Sequence, residues 1–189
     1  MESFDQKHAK EIGEQAQVFA LELKEIHALH GTQYVLDLVY NLVEQVQSNT
    51  EWNKNTSCSK GCSFCCHDEI NISDWEAERI IENIKDYNPD MNLLKIQNSV
   101  DDISKLPWKD QKCSLLDKEG NCSVYENRPL VCRTHNSIDE PQLCHLDNNP
   151  TKGHGQIFTI PTQALHFAML IATTDKFNKM HKILFNAKS

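Results

Sequence analysis

The sequence predicts a mainly α-helical protein built around a small, irregular, cysteine-rich metal-binding centre with a short β-hairpin. Three observations predict it. Apolar residues recur at helical spacing towards both ends of the chain. The middle gives way to Gly, Pro, Asn and Asp. All eight cysteines lie in that middle, between residues 58 and 144. The expected layout is an N-terminal helical pair over 1–50, a cysteine-cluster metal-binding region over 57–146 and a C-terminal helix over 160–187. A chain of 189 residues suits one domain with a real core and would be cramped as two, so these parts are expected to pack together.

The elements follow in order. Phe4, Ile12, Phe19, Leu23 and Ile26 recur at helical spacing until Gly31 breaks the pattern. Thr32 is placed to cap a second helix, which presents Val35, Leu38, Val39, Leu42 and Val46. Both stripes read as core-facing surfaces rather than docking faces. A polar stretch, QSNTEWNKNTS, leads to the first cysteines. Beyond them, Ser73 and Glu76 form a capping box, with Ile72 and Ala77 spaced for a hydrophobic staple. That helix is expected to run to about Tyr87, before Asn88-Pro89. Pro89 opens a short helix carrying Leu93, Leu94, Ile96 and Val100, closed near Leu106-Pro107. CSLLDKEGNCSVY reads as two short strands around a Gly turn, and YENRPLVCRTHNS as a turn with one helical turn after Pro129. DNNPTKGHGQ is a loop by composition. Pro161 opens the C-terminal helix, with Leu165, Ala168, Met169, Ala172, Met180 and Leu184 on one side.

Bulk charge narrows the function. A net charge of −8, with no Lys/Arg cluster longer than two residues, argues against nucleic acid and anionic membranes as partners. MESFDQKHAKEIGEQAQ is charged throughout and does not read as a secretory signal. No run of 18 apolar residues occurs, and FNAKS carries no lipidation signal. The expected location is cytoplasmic, where thiols stay reduced, so eight cysteines point to metal rather than to disulfides.

The first four cysteines, Cys58, Cys62, Cys65 and Cys66, have the spacing C-x3-C-x2-C-C. Cys62 and Cys65 form a C-x2-C pair able to converge on one ion from a tight turn, with Gly61 easing that turn. Adjacent side chains tend to diverge, so Cys65 and Cys66 serve two sites or contact different atoms of one multinuclear centre. Cys113, Cys122, Cys132 and Cys144 are too widely spaced for a local knuckle and converge only if the chain folds back. Two zinc ions with four thiolates each would use all eight; one four-thiolate iron–sulfur cluster would leave four over. The bland alternative is a set of buried, inert cysteines, against which four thiols in nine residues weigh heavily. A disulfide relay lacks the βαβ context it would need.

Polar neighbours extend the candidate site. Arg128, Arg133 and Lys60 could offset the charge of the thiolates, and Asn136 and Ser137 could hydrogen-bond a sulfur or cap a turn. Arg128 could equally pair with Glu126 or Asp117. Tyr125 is expected to pack beneath the loop. His67, His135 and His145 are candidate nitrogen ligands or proton carriers, each weighed against an ordinary structural histidine. His154, between two glycines, reads as a loop residue. No Ser/His/Asp set, phosphate-binding Gly loop or HExxH motif is present.

CSKGCSFCCHDEINISDWEAERI and CSLLDKEGNCSVYENRPLVCRTHNS together resemble the YkgJ-type cysteine-cluster family of zinc- or iron-chelating proteins. The resemblance spans about residues 58 to 145. It implies that Cys58, Cys62, Cys65, Cys66, Cys113, Cys122, Cys132 and Cys144 are the chelating set, and Arg128, Pro129, Arg133, Asn136 and Ser137 also fit its pattern. A similar cluster occurs in flagellin lysine N-methylases, which implies that such a centre can sit in an enzyme. The expected function is chelation of zinc or iron. The alternative is an iron–sulfur redox protein or enzyme, with a methyltransferase-like activity among the options, working with an unidentified protein partner or small molecule. A thiol redox switch is the third reading.

Overall fold

The computed structural model describes residues 4–48, 56–58, 61–83, 86–137, 140, 144, 159–173 and 178–188. The chain opens with α1 (Phe4–Ser48), whose helical dihedrals are interrupted at Gly31, φ 80° and ψ 176°. Only glycine adopts that conformation without strain, so α1 consists of two helical segments that meet at a kink at this residue, as the sequence break at Gly31 leads one to expect. The buried face before the bend carries Ala16, Ala20 and Leu23. After it the face is Val35, Leu36, Val39, Tyr40 and Val43, turned by about one residue from the expected stripe, and Leu42 stays 38% exposed. The turn has a cause: Tyr40 must reach inwards, where its ring receives the guanidinium groups of Arg79 and Arg133. The Thr32 hydroxyl donates to Glu78 Oε2 at 2.7 Å, so it ties α1 to the next helix.

That helix, α2 (Asp74–Glu82), begins at the expected capping box. Ser73 Oγ accepts from the Glu76 amide at 3.3 Å, and Glu76 Oε2 accepts from the Ser73 amide at 2.9 Å. It stops five residues short of Tyr87. The Asn83 side chain donates to the Arg79 carbonyl at 2.8 Å, satisfying a terminal acceptor before Pro89 is reached. Arg79, buried, donates to Gln33 and Asp37 and so clamps α2 to α1.

α3 (Met91–Asn98) is capped by Asp90, whose carboxylate accepts from the Asn92 and Leu93 amides. Buried Gln97 donates to the Asp110 and Lys112 carbonyls at 3.0 and 2.9 Å, joining α3 to α4 (Trp108–Gln111). The Gly turn follows: Gly120 has φ 82°, Asp117 Oδ1 accepts from the Asn121 amide, and Leu116 bridges Cys122 antiparallel. Strand pairing in this segment is limited to that single bridge. α5 (Leu130–Thr134) follows Pro129 as expected.

The two-stranded antiparallel sheet pairs β1 (Asn71–Ile72) with β2 (Asn178–Lys179). This divides the expected 160–187 helix into α6 (Ile160–Thr173) and α7 (Met180–Lys188). Asn178 and Lys179 are extended because their backbone pairs with β1, and the Met180 amide donates to the Ile70 carbonyl at 3.2 Å. Residues 174–177 lie outside the described ones.

Two apolar clusters result. In the first, α1 packs along α6 through Ala16, Ala20, Val39, Ala164, Ala168, Met169 and Ala172, joined by Trp75 and Leu130. Alanines on both faces let the helix axes approach closely. In the second, Ile72, Ile80, Tyr87, Leu94, Leu115, Val124, Met180 and Leu184 gather, with Cys113 and Cys122 packed against them. Each fully buried Leu or Ile contributes about 1.5–3 kcal/mol. Among the described residues no helix is long and apolar enough to cross a membrane.

Candidate metal centre

The first cysteines sit on a turn made of short-range bonds. Gly61 has φ 86°, a left-handed position that suits glycine. Phe64–His67 form one 3-10 turn, in which the Cys66 amide donates to the Ser63 carbonyl at 3.0 Å. The His67 ring holds the same carbonyl through Nδ1 at 3.1 Å and stacks on Trp108 at 3.8 Å, 4° from parallel.

Three contacts bring the later cysteines to this turn. The Cys113 amide donates to the Cys66 carbonyl at 2.6 Å. The two glycine turns face each other: a Cβ on Gly120 would lie 3.5 Å from Ser63 Oγ and 3.9 Å from the Gly61 carbonyl. The Ser57 amide donates to the Ser137 carbonyl at 2.8 Å, and the Ser137 amide donates to Cys58 Sγ at 3.4 Å.

Cys132 is placed by a fourth device. Glu76, the capping residue of α2, turns its other carboxylate oxygen to accept from the Leu130 amide at 2.6 Å. One buried carboxylate thus serves the first turns of both α2 and α5. Its capping role was legible from the Ser73–Glu76 spacing; its bond to α5, 54 residues away, had no sequence signal.

No disulfide joins any of the eight cysteines among the described residues. Cys58 is exposed, Cys144 is buried, and the others are half-buried. Burial pushes the Cys113 thiol up to about 12, with Cys122 and Cys65 adding to it. Burial also raises Cys132 well above the ordinary thiol range, reinforced by Cys113, Cys65, Cys122 and Glu76. Cys122 is raised by burial and by Cys65, while the Arg128 guanidinium pulls it back. Cys65 is raised first by its hydrogen bond with Cys66, then by burial and by the negative charges of Cys66 and Asp68. Burial raises Cys144 and a Ser137 hydrogen bond opposes it, with Cys65, Cys58 and Cys62 among the groups acting on it.

These mutual effects make one crowded set of sulfurs. Gathering them as thiolates is unfavourable until a cation neutralises them, so binding releases protons and pulls ligands together. Among the described residues no three His, Cys, Asp or Glu side chains already stand in ligand positions around one point. The donor chemistry nonetheless fits a soft divalent cation: many thiols, no competing disulfide, and hydrogen-bond donors beside them.

The polar candidates separate. Arg128 lies beside Cys122, its guanidinium 4.0 Å from the Tyr125 ring centroid and its Nε buried without a partner. It makes no ion pair with Glu126 or Asp117 among the described residues. Tyr125 is 52% exposed and serves as the outer plate for Arg128 rather than packing beneath the loop. Arg133 turns the other way. It donates to Glu44 at 2.8 Å, to the Arg128 and Glu126 carbonyls, and covers the Tyr40 ring at 4.0 Å, so it braces α5 on α1 rather than facing the thiols. The Asn136 amide reaches the Thr134 carbonyl at 3.5 Å, whereas Ser137 is the residue that meets sulfur. His135 is half-buried. Lys60, His145 and His154 lie outside the described residues.

Comparison with known families gives a match. The model of the CxxCxxCC family, described as a "putative zinc- or iron-chelating domain", covers residues 57–153, a little over half of the chain. No curated protein and no solved structure matches. In this chain the first gap holds three residues, giving C-x3-C-x2-C-C, and all eight cysteines fall inside the matched span. On the strength of that match, the chain belongs to the CxxCxxCC family.

Proposed function

We propose that this protein chelates zinc or iron through Cys58, Cys62, Cys65, Cys66, Cys113, Cys122, Cys132 and Cys144. The observation that carries the reading is the return of later segments to the first cysteine turn: the Cys113 amide donates to the Cys66 carbonyl at 2.6 Å, and the Ser137 amide donates to Cys58 Sγ at 3.4 Å. The protein's part is to hold these sulfurs together, to donate to Cys58 from the Ser137 amide, and to set the Arg128 charge beside Cys122. A closed four-thiolate zinc site would supply folding energy rather than catalysis. A reduced, cytoplasmic setting suits eight cysteines that form no disulfide among the described residues.

A second reading is favoured by one feature. Cys65 and Cys66 are adjacent and hydrogen-bonded to each other, which suits a multinuclear iron–sulfur centre whose different atoms take neighbouring thiolates. Such a centre would supply one-electron chemistry to a protein partner or small molecule. Anaerobic purification with metal analysis and a visible spectrum separates the two. Colourless protein with zinc supports the first reading, and brown protein with iron and acid-labile sulfide supports the second. Folded protein that takes up neither metal would remove both.

A further inference from the structure

We propose that the outward face of α1 between Glu14 and Leu29 docks a basic amphipathic helix of a protein partner, one with leucine-type side chains on its contact stripe and Lys or Arg beside them. The proposal concerns the helical end of the fold and does not depend on what the thiols hold.

Before its kink, α1 is apolar on two sides. Its inner side, Ala16, Ala20 and Leu23, belongs to the core it shares with α6. Elsewhere on the same segment Val18, Leu21 and Leu29 are 55%, 66% and 78% exposed, and Ala28 is exposed beside them. At about 100° of rotation per residue these four share about 100° of the circumference, on the side away from the core. A helix that packs on one side only carries polar residues on the other. Single exposed apolar side chains are ordinary, but these line up along four turns, roughly 22 Å of helix. That length matches a partner helix of about 15 residues.

Charge selects the occupant. Glu14 and Glu25 lie within the same arc as the apolar residues and Glu22 borders it, all three exposed. Among the described residues no ion pair engages any of them. Lys24 stands on one flank, where an acidic residue of the partner would meet it. A second copy of this chain fits poorly. Antiparallel pairing that sets Val18 against Leu21 of the copy also sets Glu14 against Glu25, and parallel pairing sets each glutamate beside its counterpart. Anionic membranes and nucleic acids meet the same repulsion. Lys or Arg on an incoming helix turns that repulsion into attraction. The glutamates then steer and orient the partner, while Val18, Leu21 and Leu29 hold it.

The test is fluorescence polarisation of full-length protein with a labelled synthetic peptide, its leucines and lysines spaced for an amphipathic helix, against a scrambled peptide of the same composition. The helical peptide should bind at least about tenfold more tightly than the scrambled one, and added salt should weaken it. The double variant Val18→Gln, Leu21→Gln should bind the helical peptide no better than the scrambled one. Both positions are exposed and Gln is a good helix former, so the fold is kept, which circular dichroism checks. Glu14→Gln with Glu25→Gln should weaken binding about tenfold and flatten its salt dependence, whereas Glu119→Gln, exposed on the Gly turn, should leave it unchanged. Equal binding of the two peptides, an unaffected Val18/Leu21 variant or an equal loss in Glu119→Gln would reduce the effect to general charge attraction and overturn the proposal. Sedimentation that finds a dimer, made monomeric by the Val18/Leu21 variant, would overturn it in favour of a second copy.

Discussion

Replacing Glu76 by Ala removes the acceptor shared by two helices, and the structure gives the size of the loss. The carboxylate, 2% exposed, accepts from the Ser73 amide at 2.9 Å, the Ser73 hydroxyl at 2.8 Å and the Leu130 amide at 2.6 Å. Ser73 and Leu130 are fully buried, so water cannot take the place of the lost acceptor. An unsatisfied buried donor costs about 1–3 kcal/mol. Two stranded amides together with the broken capping box therefore come to roughly 3–5 kcal/mol. That is a large part of the roughly 5–15 kcal/mol that stabilises an ordinary domain. Urea denaturation of the metal-free protein, followed by far-ultraviolet circular dichroism, reads it directly. Glu76→Gln keeps one carbonyl oxygen but turns an NH₂ towards other donors, so its loss should be smaller, about 1–2 kcal/mol. Because Glu76 also places α5, the Ala variant should bind metal more weakly at Cys132. A stability loss below about 1 kcal/mol would show that α2 and α5 do not depend on this carboxylate.

Further outcomes follow from the same geometry. Arg133→Met should destabilise by about 1–3 kcal/mol, because the Arg128 and Glu126 carbonyls lose their donor. Glu44→Gln should change stability by only about 0–1 kcal/mol, since that carboxylate is 60% exposed; equal losses in the two variants would contradict this. Arg128→Gln should weaken metal affinity by about 10–100-fold in a chelator competition while hardly moving the melting temperature of the metal-free protein, and Arg128→Lys should recover part of the affinity. The metal-free protein should lose stability as pH rises from the ordinary thiol range, about 8.5, towards the raised native values, Cys113 reaching about 12. The sign follows from linkage: thiols held protonated in the native state lose protons more readily when unfolded, so alkali favours unfolding. Urea midpoints measured between pH 8 and 10 should fall for the metal-free protein and hold steady for the loaded one.

Much of this molecule was legible residue by residue, and the parts that were not share a physical reason. The Ser73–Glu76 box, the break at Gly31 and the helical turn after Pro129 depend on local sterics and local hydrogen bonds, so their signals lie within a few residues. The end of α2 and the division of the C-terminal helix depend on partners. Asn83 closes α2 through a side-chain bond, and Asn178–Lys179 turn extended to meet Asn71–Ile72, more than a hundred residues earlier. The buried face of α1 shifted for the same kind of reason, because Tyr40 is drawn in by two arginines from α2 and α5. At the candidate site the cysteine spacing announced a set of eight thiols; the Ser137 amide donates to Cys58 Sγ, and the Arg128 guanidinium covers the Tyr125 ring. The opposite orientations of Arg128 and Arg133, five residues apart, followed from packing against α1 that spacing does not encode.

The central claim is that the cysteine sulfurs, rather than the nearby imidazoles and carboxylates, hold the metal. X-ray absorption at the metal edge of anaerobically loaded protein tests it most directly. For zinc, an all-sulfur first shell near about 2.3 Å is the expected result. A shell dominated by nitrogen or oxygen at about 2.0–2.1 Å would contradict the account.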